Sequence, residues 1–314
     1  MLIYYYILFC LYFTKAKYLN GLLIYNYEKM YNYDPPFVNI GDYIQSLAAK
    51  QFIKNKNNII YLNRDNLKDY SGNKIKFIFN CWFIINDKTI NISNNLIPLF
   101  ISFHISNLNN IYKMKKILKK YEPIGARDID TMNALEKNGI KSYYSSCLTL
   151  TLGKTYKVQK KKNIIYLVDY NFNQNILLDI EVIKILKFYQ PDEVKFLYHE
   201  KMSLNTSHKE RFKLAKKFLK KYSKARLVIT NRLHAALPCV GMEVPVILYN
   251  IKNKHDRRFS GIVNTFMNYM GYYSNNPKFK IEILTDKNGY IINDEQYKYY
   301  VKKMERVINK FFER

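Results

Sequence analysis

An arginine and a histidine stand two positions apart in the segment Thr230-Asn-Arg-Leu-His-Ala235. The apolar run that ends at Thr230 predicts a buried strand, and the following residues predict a helix with Asn231 as its N-cap. Arg232 and His234 would then lie in the first helical turn, where unpaired N–H groups and the helix dipole favour an anion. The segment therefore predicts a phosphate or carboxylate site, although a capping arginine and a surface histidine would show the same spacing.

Three further segments place polar side chains beside glycine near a predicted helix or in a loop: Asn39-Ile-Gly-Asp42, Gly125-Ala-Arg-Asp128 and Arg258-Phe-Ser-Gly261. Asp42 is predicted to cap a helix. Arg127 could project a second guanidinium into a cleft, and Arg258 belongs to a polar loop with a neighbouring arginine. A helix cap or a solvated loop would explain each segment equally well, so none indicates a function by itself.

These segments lie between apolar runs and amphipathic stretches that alternate along the chain. Strands are predicted at 22–25, 76–80, 100–105, 163–168, 194–198, 227–230 and 246–249, and helices at 42–52, 111–120, 130–137, 176–188, 210–222, 232–241 and 295–312. Serial strand–helix units with right-handed crossovers build doubly wound parallel sheets. The expected fold class is therefore α/β, with ligands at the carboxyl edges of the strands.

The length of 314 residues favours two lobes over one, because single cores stop growing near this size. Residues 21–153 are predicted to form the first Rossmann-like lobe and residues 154–314 the second, with the boundary at the basic stretch 154–162. The charged C-terminal helix is predicted to pack back on the first lobe.

The apolar N-terminal extension, residues 1–20, has no defined role in this arrangement. Its most apolar part, residues 1–13, is shorter than the roughly 20 residues of a spanning helix and lacks the basic start and cleavage site of a signal peptide. An additional strand, a weak interfacial anchor and an upstream translation start all fit it.

Composition narrows the function classes. The chain has 51 Lys and Arg against 25 Asp and Glu, a net charge of +26, while 48% of its residues are hydrophobic, which excludes a disordered basic tail. Such a field attracts nucleic acid, acidic polysaccharide, phosphorylated metabolites or an anionic membrane surface. The four cysteines form no Cys-x-x-Cys pair and the histidines show no metal-ligand spacing, so no metal site is expected and a reducing compartment is favoured. P-loop, dinucleotide and zinc-protease motifs are absent from the sequence.

Taken in order, several segments of this chain resemble the polysaccharide pyruvyl transferase family. They are Asn39–Asp42 with Gln45–Ala48, Gly125–Asp128, Ser146–Thr151, Thr230–Ala235 and Arg258–Gly261. The resemblance extends from about Leu22 to about Gly261, and its most specific part is the Arg-Leu-His element that follows a strand.

The resemblance implies two Rossmann-like lobes in a GT-B-like arrangement, with the acceptor on the first lobe, the donor on the second and a cleft between them. It implies a cytoplasmic enzyme, with peripheral contact to the inner face of the membrane as an option. The donor would be phosphoenolpyruvate, a co-substrate with no further cofactor, and the acceptor a sugar of a cell-surface glycan. By that analogy Arg232 and His234 would contact the donor, with Arg127 as a further donor-binding candidate. We further expect His234 and Asp42 to be catalytic, and Asn231 and Arg258 to bind the donor.

The chemistry of these residues agrees with that implication. Phosphoenolpyruvate carries several negative charges, and arginine presents a planar fork that matches both carboxylate and phosphate. His234 could deliver the proton that the methylene carbon needs, with a pKa lowered by the helix N-terminus and raised by bound phosphate. Arginines and backbone N–H groups can bear the charge, so the reaction demands no metal.

Two other functions fit the sequence. A GT-B glycosyltransferase would place the diphosphate of a nucleotide sugar at the same helix start. A basic nucleic-acid-binding protein would account for the charge and the aromatic content, but the chain contains no recognised module of that kind, so no nucleic-acid partner is expected.

Overall fold

The structure of this protein is a computed structural model that describes residues 18–27, 38–83, 91–170, 176–200, 202–250, 257–273 and 276–313. The predicted N-terminal extension through residue 17, the loop prolines at positions 35 and 36, Cys10 and His255 lie outside the described residues. Among the described residues, no helix combines the length and apolarity that crossing a membrane requires.

Strands and helices alternate along the described chain, as the pattern predicts. The strands are β1 (Leu19–Ile24), β2 (Ile59–Asn63), β3 (Ile75–Phe79), β4 (Trp82–Phe83), β5 (Leu96–Phe100), β6 (His104–Ile105), β7 (Ile124–Ala126), β8 (Ser142–Tyr144), β9 (Ile164–Val168), β10 (Glu193–Leu197), β11 (Leu227–Thr230), β12 (Val246–Asn250), β13 (Tyr269–Tyr273) and β14 (Asn276–Glu282). The helices are α1 (Ile40–Lys50), α2 (Lys115–Lys120), α3 (Ile129–Lys137), α4 (Gly153–Tyr156), α5 (Ile176–Tyr189), α6 (His208–Tyr222), α7 (Leu233–Gly241), α8 (Val263–Phe266) and α9 (Tyr297–Glu313).

The first sheet has the strand order β2-β1-β3-β5, and all of its strand pairs are parallel. Every residue of β3 is buried, which is the pattern of a parallel strand covered on both faces. Beyond β5, the chain pairs through Phe103 with β7, which in turn pairs with β8. The carboxyl edge of this half therefore extends from β1 to the start of α3.

The second sheet has the order β10-β9-β11-β12-β13-β14, with β14 antiparallel at the edge and the other pairs parallel. The central strands β9 and β11 are buried along their whole length. Two sheets with parallel strands and interleaved helices confirm the predicted α/β fold class.

One continuous core connects the two sheets, because α1 from the first half packs against α6 and α7 from the second. Tyr43 of α1 meets the ring of Phe212 in an edge-on contact with ring centroids 5.0 Å apart. α9 packs back on the first half, as expected: Met304 is buried beside Ser102, and Lys76 Nζ donates to the carbonyl oxygen of Phe311 at 3.2 Å. Helices α1, α6, α7 and α9 thus join the two halves, together with a β-bridge between Val38 and Met202.

Two predicted elements of the first half differ from the structure. The strand predicted at 100–105 has the wrong bounds. β5 ends at Phe100, and Ser102 adopts a left-handed φ of 58° before the short strand β6. The helix predicted at 111–120 is α-helical only over α2, and tighter 3₁₀ turns occupy Leu108–Met114. Those turns bury Ile111 and Met114, so the apolar pattern was satisfied by a different local geometry.

Both predicted helix caps are also wrong. Asn39 caps α1 by accepting a hydrogen bond from Gly41 N at 3.0 Å, which leaves Asp42 inside the first turn. Arg232, not Asn231, occupies the N-cap position of α7, and its side chain makes no capping bond. The Asn231 amide instead donates to the carbonyl oxygen of Asp169 at 3.2 Å. In each case the side chain predicted as the cap has a different partner.

Candidate functional site

The starts of α1 and α7 meet at Gly41 and His234. A Cβ atom placed on Gly41 would lie 3.1 Å from His234 Nδ1 and 3.2 Å from His234 Cβ, so a side chain there would force the ring to shift by a few tenths of an ångström. Asn39 fixes the backbone of this junction through its cap on α1. The structure therefore brings the Asn-Ile-Gly-Asp and Arg-Leu-His segments into direct contact across the two halves.

His234 has a polar atom without a protein partner at this junction. Its Nε2 is buried and accepts or donates no hydrogen bond among the described residues. Burial, followed by the positive charge of Arg127 and then by His199 and Arg258, lowers the pKa of His234 well below its ordinary value. The ring is thus neutral in the free protein and surrounded by groups that favour an incoming anion.

Arg127 and Arg258 both act on His234, although they belong to different halves of the chain. Arg127 follows β7 and is buried, whereas Arg258 is exposed and lies in a 3₁₀ turn. The segment containing Arg258 docks on α3, where Ser260 Oγ donates to Asp130 Oδ1 at 3.0 Å. Gly261 makes that approach with a left-handed φ of 78°, and a Cβ on it would clash with Ile129. The two predicted arginines therefore converge.

A second histidine, His104, shares this electropositive surrounding. Its Nδ1 lies 2.6 Å from Asp128 Oδ2, while Asp128 Oδ1 caps α3 by accepting from Thr131 N at 2.8 Å. Burial and Arg127 lower the pKa of His104 to about 4 against the opposing effect of Asp128. Burial works to raise the pKa of Asp128, but His104 and Arg127 outweigh it and the pKa lies below its ordinary value. Neutral His104 thus donates from Nδ1 to an ionised Asp128.

We call His234, Arg127, Arg258, His104 and Asp128 the His234 centre. Arg127 and Arg258 bring positive charge to His234, and the carboxylate of Asp128 is bound to His104 and to a helix N-terminus. Positive charge around a buried ring nitrogen favours an anion.

Asp42 lies in the first turn of α1, next to Gly41. Gln45 Nε2 donates to its Oδ1 at 3.2 Å, and the Tyr27 hydroxyl lies 3.0 Å from its Oδ2. Burial raises the pKa of Asp42 against the opposing effects of Arg64 and Tyr27. A carboxyl group with a raised pKa binds a proton more strongly than an ordinary one, which is the property that a general base needs.

Arg232 has a different surrounding from His234. Its Nε donates to Asp169 Oδ2 at 2.8 Å, and its Nη atoms bind Glu200 at 2.6 Å. These carboxylates follow β9 and β10, and only 10% of the Asp169 side chain is exposed. The Asn231 amide joins them through the Asp169 carbonyl, and its Oδ1 is buried without a partner among the described residues. We call these four residues the Arg232 network.

Left-handed backbone marks the ends of several strands around both groups. Tyr27, Ser102, Ser146 and Asp169 have φ values of 58°, 58°, 59° and 51° and follow β1, β5, β8 and β9 respectively. Non-glycine residues rarely adopt this conformation, and such strain concentrates at functional sites. Its repetition at the carboxyl edges supports the predicted position of the site.

The structure thus brings together His234, Arg127, Arg258 and Asp42 near one helix junction, and it places Arg232 and Asn231 in a neighbouring network. Among the residues described, no group of three or more His, Cys, Asp or Glu side chains is arranged to hold a metal ion. Sequence reasoning missed His104, Asp169 and Glu200. Only the position of Asp128 directly after Arg127 gave a signal for the His104 pair.

Comparisons with known proteins bear on this geometry. No protein with a curated functional description matches the chain. Among solved structures, the crystal structure of accessory secretory protein 1, 2 and 3 in Streptococcus pneumoniae is similar at 12% identity with a TM-score of 0.33. The similarity covers 79% of this chain and 50% of that chain, so this protein spans about half the length of that chain.

The sequence model of the polysaccharide pyruvyl transferase family matches residues 39–253, which is more than half of the chain. The matched range contains Asp42, Arg127 and the Arg-Leu-His turn, and it ends before Arg258. The residues that meet at the two helix starts are therefore inside the match, and this chain belongs to the polysaccharide pyruvyl transferase family.

Proposed function

We propose that this protein transfers the pyruvyl group of phosphoenolpyruvate to a sugar of a polysaccharide, forming a ketal and releasing phosphate. The observation that carries the proposal is the unpartnered, buried Nε2 of His234 among positive groups from both halves of the chain. Family membership supports the transferred group and the class of acceptor. The two arginines that act on His234 support a donor that carries both a phosphate and a carboxylate.

The reaction balances without an oxidant or reductant. The methylene carbon of the donor gains a proton, and two hydroxyl oxygens of one sugar bond to the central carbon. The bond between that carbon and the phosphate-bearing oxygen breaks, and phosphate leaves. Of the two hydroxyl protons, one matches the proton gained by the methylene carbon and the other departs with phosphate.

His234 is the residue that we assign to protonation of the methylene carbon. Its Nδ1 faces Gly41, which leaves Nε2 as the nitrogen available to a ligand. A bound donor brings negative charge next to the ring and raises the pKa that Arg127 and burial have lowered. The histidine would therefore acquire its proton when the donor binds, and it would hold that proton beside the carbon that needs it.

The remaining residues divide between donor and acceptor. Arg127 and Arg258 neutralise the donor, and Arg232 and Asn231 complete the donor side at the start of α7. Asp42, with its raised pKa, accepts a proton from the attacking hydroxyl. His104 is fixed by Asp128 in the tautomer that leaves Nε2 with its lone pair, so it can accept a hydrogen bond from a ligand.

We also propose that the two halves form a GT-B-like arrangement, with the acceptor on the side of residues 21–153 and the donor on the side of residues 154–314. Its support is that the site takes Asp42, His104 and Arg127 from the first half and His234 and Arg258 from the second. A site assembled in this way depends on the contact between the helices that join the halves.

The test is to incubate the purified protein with phosphoenolpyruvate and extracted glycans. We expect phosphate release together with a mass gain on the glycan that corresponds to a ketal. Calorimetry with the donor alone should show binding without a nucleotide. If a nucleotide sugar binds at micromolar concentration while phosphoenolpyruvate does not bind at millimolar concentration, a glycosyltransferase replaces this proposal.

A further inference from the structure

A groove with a volume of about 1070 Å³ runs along α6, outside the His234 centre. Ten lysines and one glutamate line it, and its apolar surface comes from Ile164, Tyr61, Tyr166 and Phe212. The opposite face of α6 is buried in the core, as its apolar stripe predicts. The six lining lysines that belong to α6 therefore occupy the face of this helix that points away from the core.

The positive charge of this groove is not balanced by the protein. Within the described part of the chain, Lys195 alone among the ten lysines pairs with a carboxylate, that of Glu193 at 2.5 Å. Lys213, Lys217 and Lys221 follow one another at four-residue spacing, an arrangement of like charges that destabilises a helix. Burial, followed by Lys217 and Lys195, lowers the pKa of Lys221, as expected for cations without counterions.

The dimensions fit a polymer better than a single small anion. α6 has 15 residues, which corresponds to a length of about 22 Å. Lysine acts as a point charge on a flexible stem and provides no planar fork for one particular phosphate or carboxylate. Cations repeated along a groove of this length match negative charges repeated along a chain.

The groove also leads away from the candidate site. Because α6 connects two parallel strands, it runs from the carboxyl edge of the second sheet back to the amino edge. His208, at the beginning of the helix, lines the groove, and its Nδ1 lies 2.7 Å from the hydroxyl of Tyr43. Tyr43 follows Asp42 directly in α1. One end of the groove is thus connected to the site through a single residue.

We propose that the lysine groove binds a linear acidic polysaccharide, the chain that carries the acceptor sugar. The positive lining is complementary to its repeated carboxylates, and the half-exposed ring of Tyr61 provides a surface for the face of a sugar. Identifying the bound chain with the acceptor rests on the proposed function, whereas binding of an acidic glycan to the groove does not.

Other polyanions fit the groove less well. Single-stranded nucleic acid is bound by exposed aromatic platforms, but of the lining aromatic rings Tyr61 is 50% exposed while Tyr166 and Phe212 are only 6% and 8% exposed. No arginine lines the groove, although arginine is the residue that stacks on bases and reads them. A flat anionic membrane would not contact the walls of a concave groove.

The experiment measures binding of polygalacturonate to the full-length protein without any donor present. The groove variant Lys213→Gln/Lys217→Gln/Lys220→Gln removes three exposed charges, and the control variant Lys115→Gln/Lys116→Gln/Lys119→Gln removes three exposed charges from α2. Both variants keep their buried residues and carry the same net charge. We expect the groove variant to weaken binding about 10-fold or more, with a smaller loss at high salt, and the control to remain within about twofold of the wild type.

Several results would overturn the proposal. They are equal losses in the two variants, binding of neutral dextran as tight as that of polygalacturonate, and tighter binding of a thymidine oligonucleotide or of phosphatidylglycerol vesicles through the same lysines. Failure of the proposed function is seen separately, because phosphate release from phosphoenolpyruvate is measured in another assay. If polygalacturonate binds through the groove and no transfer occurs, the groove inference stands and the pyruvyl transfer falls.

Discussion

Arg232 and His234 are separated by one residue, yet their side chains have opposite electrostatic surroundings. Arg232 faces the carboxylates of Asp169 and Glu200, which balance its charge. His234 faces cations, and its Nε2 has no partner among the described residues. The difference teaches that residues of one helix turn can have different surroundings: carboxylates after β9 and β10 balance the guanidinium of Arg232, whereas His234 lies among arginines that favour an anion.

The largest expected effect is on kcat, and it comes from removing the imidazole of the His234 centre. His234→Ala should lower kcat by roughly 10²–10⁴-fold, because proton transfer from a positioned side chain contributes about that much, while the donor KM changes much less. The free energy of unfolding should stay close to that of the wild type, since Nε2 makes no hydrogen bond that the substitution would remove. Steady-state kinetics and a thermal melt measure both quantities.

Two results would contradict the role assigned to His234. Turnover near the wild-type rate in His234→Ala would remove the residue from catalysis. A collapsed melt would instead give the turn a structural role. His234→Gln serves as the volume-matched control, because glutamine fills the space beside Gly41 but cannot titrate.

Substitution of Arg232 should have a smaller effect, which appears in the free energy of unfolding and in the donor KM. Arg232→Lys keeps the charge, but one ammonium cannot reproduce a fork that reaches both Asp169 and Glu200. We expect the free energy of unfolding to fall by about 1–2 kcal/mol, because a mostly buried carboxylate loses a partner. If Arg232 also binds the donor, the donor KM should rise by a factor that corresponds to about 1.5–3 kcal/mol.

The pair of variants sharpens the comparison when the same measurements are made on both. His234→Ala should change kcat without changing the melt, and Arg232→Lys should change the melt and KM with kcat less affected. An unchanged melt together with a raised KM in Arg232→Lys would mean that the carboxylates do not depend on the arginine. The separation of the Arg232 network from the His234 centre would then be wrong.

Binding of the donor should be coupled to the uptake of at most about one proton by His234. Its pKa lies well below the ordinary value in the free protein, and a bound anion raises that pKa. Because the donor-bound form binds the proton more tightly, donor affinity should increase as pH falls through the window between the two pKa values, by up to about tenfold per pH unit. Calorimetry in buffers of different ionisation enthalpy measures the proton uptake directly.

The donor phosphate also titrates near this range, so a control is needed. His234→Gln retains the titration of the phosphate and loses that of the imidazole. The difference in proton uptake between wild type and His234→Gln therefore belongs to His234. Equal uptake in both proteins would show that the histidine stays neutral when the donor binds.

The fold was largely predictable because its signals are local. The apolar run 227–230 and the stripe of α6 specify their elements within a few residues, and the structure reproduces both. β2 was missed although Ile59–Leu62 form an apolar run; it is an edge strand in which only Leu62 is fully buried. The bounds of β5 were missed because the chain turns at Ser102. A serine in left-handed geometry leaves no signal in the hydropathy pattern.

The site was predictable in its residue types but not in its pairings. The arginines and His234 were identified from their positions beside predicted strands and helices. The pairing of His104 with Asp128 joins residues 24 positions apart, and that of Arg232 with Asp169 joins residues 63 positions apart, so each depends on how separate strands end at one edge. Long-range pairing of this kind has no periodicity in the sequence.

The smallest expected effect is that of metal removal. In the Arg232 network a guanidinium already lies between Asp169 and Glu200, the carboxylates that a cation would otherwise approach. In the proposed reaction, Arg127 and Arg258 supply the positive charge for the donor. Dialysis against EDTA should therefore leave kcat and donor KM unchanged within error. A dialysed protein that is inactive until Mg²⁺ or Mn²⁺ is restored would contradict this prediction. Such a protein would also weaken the comparison, because a metal at the donor would then share the role proposed for Arg127 and Arg258.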